Sequence, residues 1–404
     1  MRERALADAL AAGDPATGLG IIVSGLPEAQ LVDGDQVLVD RLSRIDEGEL
    51  EQGQALELAC HRSRQLAILG RYEEATKRAA EAVALAEGPA QQVKAVITQR
   101  FAKSCTTEPE ERCRLLDGIE RAVAQGDPAD RAEYYILQTV DCYEAGRTED
   151  AAKWRNRLHE LQDPPLFRQW QGLQFDAMRA WDQGRMADAE RLRAEAGRFG
   201  LLAGINGASE SGHASQLVNM YLSTGFSGLA DVLGDFVGPG KLLDPEASVL
   251  QCSGAVAVLY DCGAIEEAVA LAEQLAESVT RSPVGQRTAA LAFAAEALAV
   301  SARTSLIDDV RNLLELRGRS SMVLGACVAS VGPVANYLAT LAPDAGQRRK
   351  HLEEAVEVAR EAGQLVWEVY CRARLARVTG DDAALDALRR DYADTELLPF
   401  ISRP

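Results

Sequence analysis

Aromatic residues and histidines are scarce in this sequence, and basic residues are outnumbered by acidic ones. The chain of 404 residues has 43 Lys and Arg against 61 Asp and Glu, a formal net charge of −18, and aromatic residues make up 5% of it. Phosphate binding needs clustered Lys and Arg, so this charge argues against a nucleic-acid partner and against an anionic membrane surface. The four histidines share no ligand spacing, and we therefore expect no metal site and no cofactor.

Paired cysteines and long apolar runs are absent as well. The eight cysteines are scattered without a CxxC motif, which is typical of reduced, buried thiols in a cytosolic protein. No run approaches the roughly 18 apolar residues that cross a bilayer. The first residues, MRERALADALAAGD, include acidic side chains where a signal peptide would be apolar. We therefore expect a protein of the cytoplasm without a membrane partner.

The sequence also lacks a recognisable catalytic constellation. It has no GxxxxGK[ST] phosphate loop. Adjacent acids such as Glu73-Glu74 and Glu149-Asp150 lie at the starts of predicted helices, where negative charge suits the helix dipole. We therefore predict that the chain is not an enzyme and has no catalytic residues.

A glycine turn recurs along the chain with a period of about 38 residues. The turn glycines are Gly70, Gly146, Gly184, Gly225, Gly263 and Gly380, and the equivalent positions between them hold Glu108, Ser305 and Pro343. A reversal between two antiparallel helices needs a residue that tolerates a left-handed backbone, and glycine does so without a steric penalty.

A small or apolar residue usually stands five positions after each turn. These residues are Ala75, Cys113, Ala151, Ala189, Ala230, Ala268, Val310, Arg348 and Leu385. Two helices that cross closely need a small side chain at their contact, and each pair has an apolar face that only stacking on a neighbour can bury. The pattern predicts an all-α protein, an α-solenoid of about nine antiparallel helix pairs over residues 51–404. An irregular N-terminal helical cap over residues 1–50 precedes it, and no strand of useful length is expected.

The Gly-x-x-x-x-Ala turns resemble those of tetratricopeptide repeats, although the period is longer than the usual 34 residues. They occur at Gly70/Ala75, Gly146/Ala151, Gly184/Ala189, Gly225/Ala230 and Gly263/Ala268. This resemblance implies a right-handed superhelix whose first helices line a concave groove.

A narrower resemblance covers roughly residues 165–390. The runs LAFAAEALAV (291–300), VGPVANYLATLAPD (331–344) and HLEEAVEVAREAGQLVWEVYCRARLARV (351–378) look like the helical-repeat region of ATP-binding LuxR-type transcription regulators and ATPase-linked adenylyl cyclases. In those proteins this region is a sensor and scaffold that holds an ATPase module inactive until an inducer or partner binds. Because the chain has neither a phosphate loop nor a basic helix-turn-helix in its last residues, the ATPase, cyclase and DNA-binding activities are not carried over.

Aromatic and apolar residues repeat near the ends of the predicted first helices. Three positions before the turn glycines stand Tyr143, Trp181, Leu222 and Tyr260, and six positions before them stand Val140, Met178, Asn219 and Ala257. The candidate binding residues are Tyr143, Met178, Trp181, Asn219, Leu222, Tyr260 and Tyr337. Such a stripe suits an apolar peptide, a helix or a small ligand, and ordinary packing between helices is the simpler alternative.

One feature leaves the orientation of the first helices open. Eight positions before the turns, where the tetratricopeptide motif has a large apolar residue, the chain has Arg62, Arg100, Gln138 and Asp176. The sequence therefore does not say which face of the first helices forms the groove.

The repeat favours a non-catalytic binding scaffold or sensor in signalling or transcriptional regulation. Its partner would be a protein or peptide, an ATPase or cyclase module among them, or a small-molecule inducer. Two alternatives stay open: a helical-toroid enzyme with a central carboxylate pocket, and a peptide-pheromone receptor.

Overall fold

The described part of the protein is predominantly helical, as predicted. A computed structural model describes residues 8–9, 11–25, 36–69, 71–104, 107–205, 208–225, 249–281, 285–324, 327 and 329–403. Its helices are α1 (Pro15–Gly25), α2 (Gln36–Ser43), α3 (Gln52–Ile68), α4 (Tyr72–Leu85), α5 (Pro89–Ala102), α6 (Pro109–Asp117), α7 (Glu120–Val123), α8 (Pro128–Glu144), α9 (Thr148–His159), α10 (Leu166–Asp182), α11 (Met186–Leu202), α12 (Ala208–Ser223), α13 (Val249–Asp261), α14 (Ile265–Arg281), α15 (Gly285–Ala299), α16 (Thr304–Glu315), α17 (Val334–Thr340), α18 (Ala345–Glu361), α19 (Leu365–Thr379), α20 (Asp382–Asp391) and α21 (Leu398–Ser402). A 3₁₀ turn spans Glu47–Glu49.

The predicted turn glycines that the structure describes have the left-handed conformation. Their φ angles are +77° at Gly146, +74° at Gly184, +68° at Gly225, +83° at Gly263 and +67° at Gly380. At Gly184 the glycine N–H donates to the carbonyl of Trp181 (2.8 Å), and the N–H of Arg185 donates to that of Ala180 (2.9 Å). This pair of bonds is the Schellman motif, which satisfies the last carbonyls of a helix. Gly70 lies outside the described residues.

The positions five residues after the turns are mostly buried at helix contacts, as predicted. The buried ones are Ala75, Cys113, Ala151, Ala189, Ala268, Val310 and Leu385. At one such contact the hydroxyl of Ser63 in α3 donates to the carbonyl of Ala75 in α4 at 2.8 Å, so the two helices touch directly there. Arg348 is exposed, Ser305 lies inside the first turn of α16, and Ala230 lies outside the described residues.

The chain divides into two compact units. The first unit comprises Met1–Gln138 and Trp154–Gln169, and the second comprises Thr139–Lys153 and Trp170–Pro404. A single large apolar cluster in the second unit joins residues from α12 through α21. The predicted boundary at residue 50, the nine pairs and the superhelix stay predictions.

Two short β-strands in the second unit correct the expectation that no strand would form. The strands β1 (Ser321–Leu324) and β2 (Ala329–Pro333) pair antiparallel, and every residue of both is buried. Met322 pairs with Gly332 and Val323 with Ser330, so the intervening Val331 forms a bulge. Because both faces are buried, the segment has no alternation of polar and apolar residues that would predict a strand.

Candidate functional site

The seven candidate binding residues all lie in the second unit, at different depths. Tyr143, Met178, Leu222 and Tyr337 are buried, whereas Trp181, Asn219 and Tyr260 are half-buried. Most of these side chains are therefore part of a packed interior. Tyr143, Trp181 and Tyr337 lie close to a group of buried polar and aromatic residues, while Leu222 and Tyr337 line a small cavity.

Tyr143 and Asp182 form a buried pair at the ends of two first helices. The Tyr143 hydroxyl donates to Asp182 Oδ2, and the Tyr143 ring meets Phe175 edge to face at 5.3 Å. Asp182 has no exposed surface, and its Oδ1 has no hydrogen-bond partner. Burial raises the pKa of Asp182 to about 7, although hydrogen bonds with Tyr143, Ser330 and Trp367 act to lower it.

Replacing Asp182 with asparagine should change how stability depends on pH. Because the pKa is raised from 3.8 to about 7, the folded chain between these values holds a proton that the unfolded chain has lost. The stability of the wild type therefore falls as pH rises across this range, by up to about 4 kcal/mol from this group. Asp182→Asn should remove that fall, measured as urea unfolding midpoints from pH 4.5 to pH 8.

The matched control is Asp386→Asn, since Asp386 is exposed in α20. This variant should follow the pH profile of the wild type. Parallel profiles for wild type and Asp182→Asn would contradict a raised pKa for Asp182 in the folded chain.

A second buried carboxylate, Glu144, connects α8 to the β-hairpin. Its Oε1 accepts hydrogen bonds from Arg317 Nη2 at 2.8 Å and from the backbone N–H of Val323 at 3.1 Å. These partners lie 173 and 179 residues further along the chain. In a simple solenoid each repeat contacts only its neighbours. The second unit therefore departs from neighbour-only stacking.

Aromatic residues from four helices form a cluster that includes Trp367 in α19. Its indole lies 6.4 Å from the Trp181 ring, 6.5 Å from the Tyr337 ring and 5.8 Å from the Tyr370 ring, each edge to face. Trp181 in turn meets Phe400 of α21 at 5.9 Å. The chain's last helix thus contacts the same cluster that contains two of the predicted site residues.

Residues 397–403, which we call the terminal segment, are held mainly by side chains of first helices. Leu397, Phe400, Ile401 and Arg403 are all buried. The carbonyl of Ile401 accepts a hydrogen bond from Arg377 in α19.

Arg403 makes the most specific contacts of the terminal segment. Its guanidinium carbon lies 4.0 Å above the ring centre of Tyr221 in α12. Its Nη2 lies 3.2 and 3.3 Å from the two carboxylate oxygens of Asp261 in α13, and 3.9 Å from Glu296 in α15. Three helices therefore meet around one cation.

A cavity of about 10 Å³ lies beside two residues that contact Arg403, namely Tyr221 and Glu296. It is lined by Tyr221, Leu222, Ala292, Ala295, Glu296, Asn336, Tyr337, Thr340, Tyr370 and Arg374. Arg374 donates to Asn336 Oδ1 at 2.6 Å and to Thr340 Oγ1 at 2.9 Å. The volume suits one water molecule rather than a small-molecule inducer.

The three carboxylates of the second unit described above occupy the same position relative to a turn glycine. Glu144, Asp182 and Asp261 each stand two residues before a turn glycine, in the last turn of a first helix. An acid there opposes the helix dipole. The sequence analysis did not single out these three carboxylates. Their unfavourable position at the end of a helix is the signal that could have identified them, because a carboxylate there needs a stabilising partner from another part of the chain.

The polar residues eight positions before the turns are largely buried in the first unit. These are Arg62, Arg100 and Gln138. Arg62 donates to the backbone carbonyls of Leu42 (2.8 Å) and Ile45 (3.0 Å), so it fixes the end of α2 against α3. Asp176, in the second unit, is half-buried. Arg62 therefore stands at an apolar position because it satisfies backbone groups.

A cleft of about 480 Å³ in the first unit is a second concave feature. Its charged lining residues are Arg44, Asp46, Glu47, Arg62, Arg71, Glu74 and Arg78. Arg71 binds Glu74 through two bonds of 2.7 Å, and Arg62 and Arg78 both contact Glu47. The cations are mostly neutralised by acids within the same cleft, so it has no strong preference for an anion.

The first helices of the first unit also share a charged network. Glu133 of α8 accepts hydrogen bonds from Arg64 of α3 (3.0 Å) and lies 3.1 Å from Arg168 of α10. Although burial raises the pKa of Glu133, these guanidinium groups bring it below its ordinary value. Polar contacts between first helices therefore occur within this unit as well, and the contact of α3 with α8 joins two that are not successive.

The comparisons with known proteins do not assign the chain to a family. No protein-family model matches it. No curated protein sequence is significantly similar to it. Within the described residues, no helix combines the length and apolar character needed to cross a membrane.

Proposed function

We propose that this chain is a non-catalytic binding protein of the helical-repeat type, which recognises a protein or peptide through its first helices. The supporting observation is that side chains of several first helices hold the terminal segment. Trp181, Tyr221, Asp261, Glu296 and Arg377 all contact it, and they come from five helices, each the first of its predicted pair. Peptide recognition by stacked helix pairs requires side chains from several first helices on one binding surface.

The resemblance to tetratricopeptide repeats and to LuxR-type regulators gives this proposal its biological setting. We propose a right-handed array of about nine pairs in the cytoplasm, where the scattered thiols stay reduced. Its role would be that of a regulatory sensor whose partner is a protein, including a separate ATPase or cyclase module. The departure from neighbour-only stacking in the second unit is a distinctive feature of this array.

The observed carboxylates favour binding over the alternative of a helical-toroid enzyme. Such an enzyme needs several acids that converge in one pocket. The cavity beside Tyr221 has a single carboxylate in its lining, that of Glu296. The cleft of the first unit has three, but Glu47 and Glu74 are paired with arginines of the same cleft, and Asp46 accepts from the backbone N–H of Gly48. Asp182 and Glu144 are instead paired with groups of the chain itself.

Selection from a random peptide display library on the purified full chain tests the proposal. We expect related peptides with dissociation constants near the micromolar range, about −8 kcal/mol of binding free energy. Hydrogen exchange should show protection in α12, α13 and α15 when such a peptide is added.

The control is the same selection on an unrelated acidic helical protein of similar net charge, which should not enrich the same peptides. Enrichment of no peptide above that control would contradict the proposal. Protection confined to helices outside α10–α19 would contradict the assignment of the surface.

A further inference from the structure

We propose that Tyr221, Asp261 and Glu296 form a subsite for an arginine side chain of a peptide ligand, and that Arg403 occupies this subsite as an internal competitor. The inference rests on the proposed function and specifies the chemistry of its ligand. It concerns one cation and three side chains, so it can fail while peptide recognition by the first helices still holds.

The chemistry of the subsite selects a guanidinium group. An arginine stacks its flat face on an aromatic ring and donates from its edge to carboxylates, whereas lysine carries a compact ammonium without a stacking face. Arg403 meets both kinds of partner at once, with its guanidinium carbon 4.0 Å from the ring centre of Tyr221 and its Nη2 beside Asp261. Glu296 adds a second negative charge at 3.9 Å.

Because Arg403 and Asp261 are largely buried, the subsite should select a charged side chain over an uncharged one. The Arg403 side chain is 7% exposed and that of Asp261 is 14% exposed, so the pair is largely removed from water. A buried carboxylate without its cation is strongly unfavourable. An uncharged side chain in the place of Arg403 would therefore be rejected.

The internal ligand is imperfectly held, which makes its displacement feasible. Arg403 Nη1 is buried and has no hydrogen-bond partner. An unsatisfied buried donor costs binding energy that a better-seated ligand recovers. Two of the three subsite residues, Tyr221 and Glu296, also line the cavity of about 10 Å³.

The neighbouring residues of the terminal segment define the rest of the ligand. Phe400 packs on Trp181, and Ile401 is fully buried. The recognised pattern is thus an aromatic residue, an aliphatic residue, any residue and an arginine. The net charge of −18 also favours the approach of a cationic peptide.

Fluorescence anisotropy with two synthetic peptides tests this inference. The probe has the sequence of residues 396–403, Glu-Leu-Leu-Pro-Phe-Ile-Ser-Arg, capped at both ends, and the matched peptide has glutamine in place of its arginine. The protein is the full chain as wild type and as Arg403→Gln. We expect the arginine peptide to bind Arg403→Gln about ten-fold more tightly than it binds the wild type, because the internal competitor is weakened. It should also bind Arg403→Gln about ten-fold more tightly than the glutamine peptide does.

Two further variants control for charge and location. Arg372→Gln removes an arginine that is 40% exposed on α19, and it should leave the affinity as in the wild type. Arg403→Gln combined with Asp261→Asn should lose the preference for the arginine peptide. Equal binding of both peptides to Arg403→Gln, or binding of neither, would overturn the subsite. The library selection described above tests peptide recognition by the first helices independently of this result.

Hydrogen exchange of the wild type gives a second measurement that does not depend on the folding of a variant. Excess arginine peptide should speed amide exchange in residues 400–403, since the terminal segment is displaced, and the glutamine peptide should not. Unchanged exchange with both peptides at saturating concentration would show that the terminal segment is a fixed part of the core.

Discussion

Replacing Gly332 with alanine is expected to destabilise the second unit by about 2 to 5 kcal/mol. An alanine Cβ at this position would lie 2.2 Å from Cδ2 and 2.4 Å from Cε2 of the Trp367 indole, well inside contact distance. The backbone φ of +79° adds a left-handed penalty that only glycine avoids. Because Trp367 is fully buried among other rings, it has no space into which to move. The measurement is the urea unfolding midpoint, followed by tryptophan fluorescence and circular dichroism.

Gly363 provides the matched control for this substitution. Its φ is +62°, but an alanine Cβ there would meet nothing within 4 Å. Gly363→Ala should therefore cost only the backbone penalty, about 1 to 2 kcal/mol. Equal shifts of the midpoint for the two variants would contradict the close contact between the Trp367 indole and Gly332 of β2.

Replacing Glu144 with alanine is the second substitution for which we expect a large effect, about 3 to 5 kcal/mol. The variant leaves the guanidinium of Arg317, which is 5% exposed, without the carboxylate that lies 2.8 Å away. The N–H of Val323 loses its acceptor in the same step. Since these bonds hold β1 against the end of α8, we also expect faster hydrogen exchange in β1 and β2. Chemical unfolding and hydrogen exchange measure the two effects.

Two controls test whether the loss of stability comes from leaving a charge buried without its partner. One breaks an exposed ion pair, and the other removes both buried charges. Glu357→Ala removes one partner of Arg319, but Glu357 is 62% exposed and Arg319 keeps Glu361. This control should change stability by less than about 1 kcal/mol. Glu144→Gln with Arg317→Met should recover much of the loss, because no isolated charge then stays buried. A loss for Glu144→Ala as small as that for Glu357→Ala would show that water reaches the pair.

The helices and their turns followed from local chemistry and could be predicted. Gly146, Gly184, Gly263 and Gly380 end helices because a left-handed residue is needed one position after the helix cap. The residues five positions later, such as Ala75 and Ala268, are buried because two helices cross there. Both signals act over a few residues, so a periodic sequence reveals them.

The candidate site could be predicted only in part. Tyr143 and Trp181 were singled out for their periodic spacing, and the structure places them, with the third candidate Tyr337, near one polar and aromatic cluster. Their partners Asp182 and Trp367 were missed, because hydrogen bonds and ring contacts between residues far apart in sequence leave no periodic trace. The β-hairpin was missed for a related reason, since a short strand buried on both faces looks like any apolar run.

By itself, the sequence determined that glycine turns separate antiparallel helices, that small residues lie where those helices cross, and that the chain is strongly acidic. Only the tertiary structure decided that Glu144, Asp182 and Asp261 turn inward to Arg317, Tyr143 and Arg403. The physical reason is that a turn depends on the torsion angles of neighbouring residues, whereas a buried carboxylate is tolerated only where a distant part of the chain supplies its partner.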